Sequence, residues 1–180
     1  MSRLAEPRDF RPDRFTASNF CGVFDQDMHI LYSLALLLTG ENKAAEQCFA
    51  LALKQCVEGP SVFSGWERSW SRRAIVKQAL QLVRPKAGDS DEALASLRAT
   101  HDDMPSLLLQ LQPFDRFVFA MTVLEGYAVR EAAALLNTVP SQVEKARIRV
   151  FEAIGRKHPA IPPVEQRWIA SGTAGLGATA

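Results

Sequence analysis

The sequence predicts an all-α protein built as two small helical domains. Two observations carry that prediction. Between residues 23 and 155, apolar side chains recur at steps of three and four within each long segment, the period of one helix face. At residues 87–105 this pattern gives way to a polar stretch, with Gly88, Asp89, Asp91 and Glu92 near its start and His101, Asp102, Asp103 and Pro105 at its end, which is linker composition. A chain of 180 residues holds one ordinary domain or two small ones, and 47% hydrophobic with 23% charged residues is enough to bury a core. The expected bounds are a flexible arm over 1–22, a helical domain over 23–86, a linker over 87–105, a second helical domain over 106–157 and a mobile tail over 158–180.

The first domain opens with Val23, Asp27, Ile30, Leu31, Leu34 and Leu38, helical spacing from Val23 to Thr39 with Asp27 as the polar exception, and Gly40 as the stop. A second helix over about Lys43–Val57 presents Ala45, Cys48, Phe49, Ala52, Leu53 and Cys56, and Gly59-Pro60 ends it. A third runs from near Ser64 to Val83 and closes at Arg84-Pro85, because the residue before proline avoids the helical region. A further short helix fits between Glu92 and Thr100.

The second domain repeats one step three times: Phe114, Phe117, Val118, Met121 and Leu124; then Val129, Ala132, Ala133 and Leu136; then Val143, Ala146, Val150 and Ile154. Gly126 and Asn137 fall between these runs, and both tolerate the left-handed backbone of a tight turn. Ser141-Gln142-Val143-Glu144 reads as a capping box with Ser141 at the N-cap. Short helices with a tight turn before the last one outline a helix-turn-helix.

The last helix is the first candidate for DNA contact. With its apolar stripe buried, Gln142, Lys145 and Arg149 are expected on the opposite side. Ser141, Gln142 and Lys145 would then reach base edges, and Arg147, Arg149, Arg156 and Lys157 would hold phosphate. The third helix is the second candidate. It carries Arg68, Arg72, Arg73, Lys77 and Arg84 against one acid, Glu67, with Trp66 and Trp70 one turn apart. Rings beside cations suit single-stranded DNA, whereas tryptophans closing a core beside solvated arginines are the alternative.

These stretches resemble the small bacterial sigma factors of the extracytoplasmic-function (ECF) type. Leu111-Gln112-Pro113-Phe114-Asp115-Arg116-Phe117-Val118-Phe119 is similar to the family's Leu-Pro-Pro-x-x-Arg-x-Val-Phe opening. Leu124-Glu125-Gly126 is similar to its Leu-Glu-Gly turn. Glu131, Ala133 and Leu136 fall on its Glu-Ile-Ala-x-x-Leu helix, and Val143 and Arg149 on its final helix. Over the first domain, Leu31–Gly40, Ala45-Glu46, Ser69-Trp70, Arg72, Arg73 and Arg84 are similar to its core, polymerase-binding and promoter-melting helices. The resemblance implies a sigma region 2-like bundle, a region 4-like helix-turn-helix, promoter DNA and core RNA polymerase as partners, and transcription initiation as the function. An anti-sigma or other regulatory protein would be a further partner. Polymerase would dock on Glu46, Gln47, Leu51 and Lys54. The family's acidic docking helix, however, reads here Ala44-Ala45-Glu46-Gln47-Cys48-Phe49-Ala50-Leu51, and its melting asparagine and aspartate are Lys77 and Gln81. The docking-helix departures open one rival, a degenerate sigma-like regulator that has lost polymerase docking and binds DNA or another protein, and Glu144 and Ala146 in the last helix open another, a helical protein–protein module without DNA binding.

Other classes find little in the chain. Cys21, Cys48 and Cys56 form no Cys-x-x-Cys pair, and the latter two lie among alanine and leucine, so buried thiols in a reducing, cytoplasmic setting are expected. His29, His101 and His158 are dispersed, and neither a phosphate-cradling loop nor a nucleophile elbow is present. The expectation is no catalysis, no cofactor, no metal and no membrane partner. The arginine-rich N-terminus has no apolar run behind it, and apolar stretches such as Leu34–Leu38 are too short to span a bilayer.

Overall fold

The computed structural model describes residues 17–59, 65–88 and 104–157, and their regular structure is wholly helical. The chain divides into two compact units, Met1–Leu82 and Val83–Ala180.

The first unit holds α1 (Ala17–Gln26), α2 (Met28–Thr39), α3 (Asn42–Glu58) and α4 (Glu67–Val83). Helix α1 begins inside the stretch expected to be a flexible arm. The physical reason is that Phe20, Val23 and Phe24 carry the i, i+3, i+4 step back into it, and all three are buried, Phe20 to 1% exposure. Residues 1–16 lie outside the described residues. The single helix expected over Val23–Thr39 is two, broken at Asp27. The backbone ladder almost survives the break: the Asp27 N–H donates to the Val23 carbonyl at 2.9 Å, and the Leu31 N–H to the Asp27 carbonyl at 2.9 Å. The Asp27 carboxylate does not cap α2 but pairs with the Arg68 guanidinium at 3.0 Å. Gly40 stops α2 as expected, at φ 79°, and its N–H donates to the Leu36 carbonyl at 2.7 Å.

Helix α3 buries only small side chains, Ala45, Cys48, Ala52 and Cys56, which lets neighbouring helices come close. The Cys48 thiol thus reaches the Ile75 carbonyl of α4 at 3.4 Å, and Gln78 donates to Gln55 at 2.7 Å beside it. Burial pushes the Cys48 thiol up to about 12 and the Cys56 thiol up to about 11, the latter against a lowering contact from Ser71. Phe49, half-buried, meets Phe24 edge-on with ring centroids 5.1 Å apart and Tyr32 at 6.4 Å.

The second unit holds α5 (Met104–Gln110), α6 (Pro113–Phe119) with a π-helical turn over Ala120–Leu124, α7 (Val129–Leu135) and α8 (Pro140–Lys157). Helix α5 begins within the expected linker, and the helix expected over 92–100 lies outside the described residues. Arg116 ties α6 to the end of α5, its Nη1 donating to the Leu109 carbonyl at 2.9 Å, and burial holds its guanidinium below the usual value. The apolar face of α6 goes as expected through Phe114, Phe117, Val118 and Met121, but Leu124 is 48% exposed. The π-helical turn explains this: the Glu125 N–H donates to the Ala120 carbonyl, five residues back, at 2.9 Å. The wider turn rotates Leu124 off the face, and Tyr127 is buried beyond it. Ala132, Ala133, Leu136, Val143, Ala146, Val150 and Ile154 are buried, as their spacing predicts.

Candidate nucleic-acid interface

In the second unit, α7 and α8 are joined by a turn in which Asn137 takes φ 51°. The Thr138 N–H donates to the Ala133 carbonyl at 2.9 Å and the Asn137 N–H to that of Ala134 at 3.2 Å. These bonds satisfy carbonyls that the end of α7 would leave open, the work of a left-handed helix terminus. Gly126, at φ 71°, makes the turn before α7. The helix–tight turn–helix arrangement expected from the sequence is therefore present.

The surface it presents differs from the expected one. Helix α8 begins at Pro140, so Ser141 is its second residue and not its cap; proline is preorganised for a first helical position. Glu144 is not part of a capping box. Its carboxylate accepts from Arg147 Nη1 at 3.1 and 3.3 Å. Arg149 does not project to solvent. Its Nη2 and Nε donate to the Asp115 carboxylate of α6 at 2.6 and 3.3 Å, with the side chains 12% and 3% exposed. Residue 149 neighbours Val150 at the margin of the buried stripe, where a long side chain reaches α6 more easily than open water. Gln142 is half-buried on the same flank. The face left to solvent is Val139, Ser141, Glu144, Lys145, Ile148 and Glu152. Of Lys145, Arg147 and Arg149, only Lys145 has no carboxylate partner among the described residues. The side chains of Arg156 and Lys157 lie outside the described residues.

Sequence reasoning passed over Asp115. An acid between Phe114 and Phe117 on the buried face of a helix requires a partner, because an unpaired buried carboxylate is too costly to keep. That requirement was the available signal for withdrawing one arginine from the DNA-binding candidates.

In the first unit, α4 offers a different surface. Trp66, immediately before it, is 66% exposed, and Ser69, Arg73, Lys77 and Gln81 follow at steps of three and four, all exposed. From Trp66 to Gln81 this stripe runs about 22 Å at a helix's rise per residue. Glu67, the one acid on α4, lies off the stripe and accepts the Gly65 N–H at 2.7 Å. Arg68 is taken up by Asp27, while Arg72 and Trp70 are half-buried. The two tryptophans thus divide: Trp70 is partly covered and Trp66 stands in solvent. Arg84 is exposed just past α4, with φ 49°.

On α3, Glu46 and Gln47 are exposed and Leu51 is half-buried, whereas Lys54 lies 4.0 Å from Glu58. No three His, Cys, Asp or Glu side chains among the described residues converge as a metal site, and no described helix is long and apolar enough to cross a membrane. His101, Asp102 and Asp103 are outside the described residues. No protein-family model, curated protein or solved structure matches the chain.

Proposed function

We propose that this is a sigma-like, DNA-binding regulator of transcription whose main nucleic-acid contact is α4 of the first unit. The carrying observation is the acid-free stripe Trp66, Ser69, Arg73, Lys77 and Gln81 with its indole in solvent. An exposed ring stacks on unpaired bases while cations beside it follow phosphate, a combination suited to single strands. The helix-turn-helix of the second unit supports the sigma-like plan. Its outer face, however, offers Glu144 and Glu152 beside Lys145, which is poor chemistry for a phosphate backbone. This is the degenerate-regulator reading in preference to full promoter recognition by both domains.

A second reading, direction of RNA polymerase to promoters, is favoured by the exposure of Glu46 and Gln47, the polar pair that remains on the polymerase-binding helix. Equilibrium binding of fluorescent single-stranded and duplex oligonucleotides across a salt series tests the main reading. The expected result is salt-dependent binding with single strands preferred and Trp66 emission quenched. Absence of binding at low salt would leave a protein–protein module. Retention on core polymerase from the host at moderate salt would restore the initiation reading.

A further inference from the structure

Within the second unit, the segment over residues 84–88 and the start of α6 line a cavity of about 340 Å³, at the lower end of the volumes that hold small molecules. Pro85, Pro113 and Phe114 give it apolar wall. The Asp115–Arg149 pair, with side chains 3% and 12% exposed, lines it too. Two of the five N–H donors of Arg149 go to Asp115, and the guanidinium makes no other hydrogen bond among the described residues. Arg84 and Lys86 complete the lining cations, both exposed and without a carboxylate partner among the described residues. Asp115 is the one acid among the lining residues.

The backbone at this place is strained. Arg84 takes φ 49° immediately before a proline, where sterics push a residue toward extended backbone. Helix capping does not account for it. Pro85 has no N–H to return to α4, and the Arg84 N–H makes no such bond among the described residues. Strain of this kind gathers where a chain is shaped around a ligand.

We infer that this cavity binds the phosphate of a small phosphomonoester. Three cations against one carboxylate leave a local charge of +2. A phosphomonoester matches it, with close to two negative charges at neutral pH and three terminal oxygens to accept hydrogen bonds. A carboxylate, or the phosphodiester of a nucleic-acid backbone, carries one charge and would leave a cation unmatched. Arg84, Lys86 and the remaining donors of Arg149 hold the oxygens, in charge-assisted bonds stronger than neutral ones. Pro85, Pro113 and Phe114 offer apolar surface to the rest of the molecule.

Amide chemical shifts of the full chain, followed while phenyl phosphate is added to about 20 mM, test the inference. Saturable shifts are expected at Arg84, Lys86, Gln112 and Asp115, with a dissociation constant on the order of 0.1–1 mM for so small a ligand. Phenol and dimethyl phosphate should bind at least about tenfold more weakly, since the first lacks the phosphate and the second one of its charges. Arg84→Gly accepts φ 49° without strain while removing the guanidinium. That variant and Lys86→Ala should each weaken phenyl phosphate at least about fivefold, with circular dichroism unchanged. The inference is overturned by the absence of saturable shifts, by dimethyl phosphate binding as well as phenyl phosphate, or by variants that bind like wild type. Asp89, Asp91 and Glu92 follow the site closely in the chain. Binding that appears only in a D89N/D91N/E92Q variant would give the site to the chain's own carboxylates and overturn it as well. None of these residues belongs to the α4 stripe, so single-strand binding and the anion site stand or fall separately.

Discussion

Among the described helices α4 and α8 are the two basic ones, and they differ in which cations they leave to solvent. Helix α8 commits two of its arginines: Arg149 turns inward to Asp115, and Arg147 pairs with Glu144 along the helix. Helix α4 gives up Arg68 to Asp27 but leaves Lys77 in solvent, on a stripe of its own surface that carries no acid. Counting charges along either helix would rank them alike. What separates Arg149 from Lys77 is that Arg149 has a buried carboxylate on a packed neighbour to turn to, and that is a tertiary property. The lesson is that a basic helix becomes a polyanion surface only after the pairs internal to the fold are subtracted.

The largest test of this contrast is Arg149→Ala. A solvent-facing, phosphate-holding Arg149, as the sequence suggests, would lose DNA binding on truncation and keep its stability. The structure requires the reverse, because the substitution strands the Asp115 carboxylate at 3% exposure. Removing one partner of such a pair costs about 3–5 kcal/mol. Urea denaturation should therefore show the second unit destabilised by that amount, with oligonucleotide affinity of the folded protein little changed. A fully stable Arg149→Ala protein with weakened binding would return α8 to its role as the phosphate-holding helix.

Next in size is Trp66→Ala. Stacking of a base on an exposed indole contributes about 1–3 kcal/mol by alanine substitution. Single-strand affinity should fall by roughly fivefold to 150-fold, the same energy converted at room temperature. Thermal stability should hardly move, since the side chain is already 66% exposed. Binding unaltered by the loss of the indole would remove the stacking element from the proposal.

The thiols give an effect confined to alkaline pH that also divides the two units. All three cysteines precede residue 57, so the second unit has none. Cys48 and Cys56 are raised to about 12 and about 11 in the fold, above their value in an unfolded chain. Below pH 8.5 or so both states keep the proton and the thiols make no pH-dependent difference. As the pH rises further, the unfolded chain ionises first, so stability falls, by up to about 1.4 kcal/mol per pH unit for each thiol. The loss continues until the folded-state values are reached. Alkaline denaturation between pH 9 and 11 should weaken the first unit, with Cys48→Ala and Cys56→Ala flattening the dependence. Cys21, exposed, should be the first to react with a thiol reagent under native conditions.

The helical class was legible because buried stripes such as Ala132-Ala133-Leu136 and Val143-Ala146-Val150 repeat the helical period with no competing signal. The turn at Asn137 was legible for a similar reason, since few residue types accept φ 51°. Leu124 was not, because nothing in the one-dimensional pattern announces a π-helical turn, and a single widened turn changes which residue faces inward. Ser141 was misplaced as a cap because Pro140 is equally able to start a helix and did so one position earlier. The site was the least legible part. Whether Arg149 or Lys77 meets solvent depends on which side chain lies across from it, and for Arg149 the answer is 34 residues away.

The smallest expected effect, that of Lys77→Ala, is also the most specific. Lys77 is exposed and has no carboxylate partner among the described residues, so its removal leaves no buried charge behind and stability should stay within about 0.5 kcal/mol. Its loss acts through counterions. Each phosphate neutralised on a single strand contributes about 0.7 to the slope of log affinity against log salt. If Lys77 lies on the nucleic-acid track, the variant's slope should be shallower by about that amount, while Lys145→Ala on α8 leaves the slope where it was. The opposite assignment, with the slope following Lys145 and indifferent to Lys77, would mean that Lys145 of α8 outweighs the whole stripe of α4. The contrast between the two helices would then have been drawn the wrong way round.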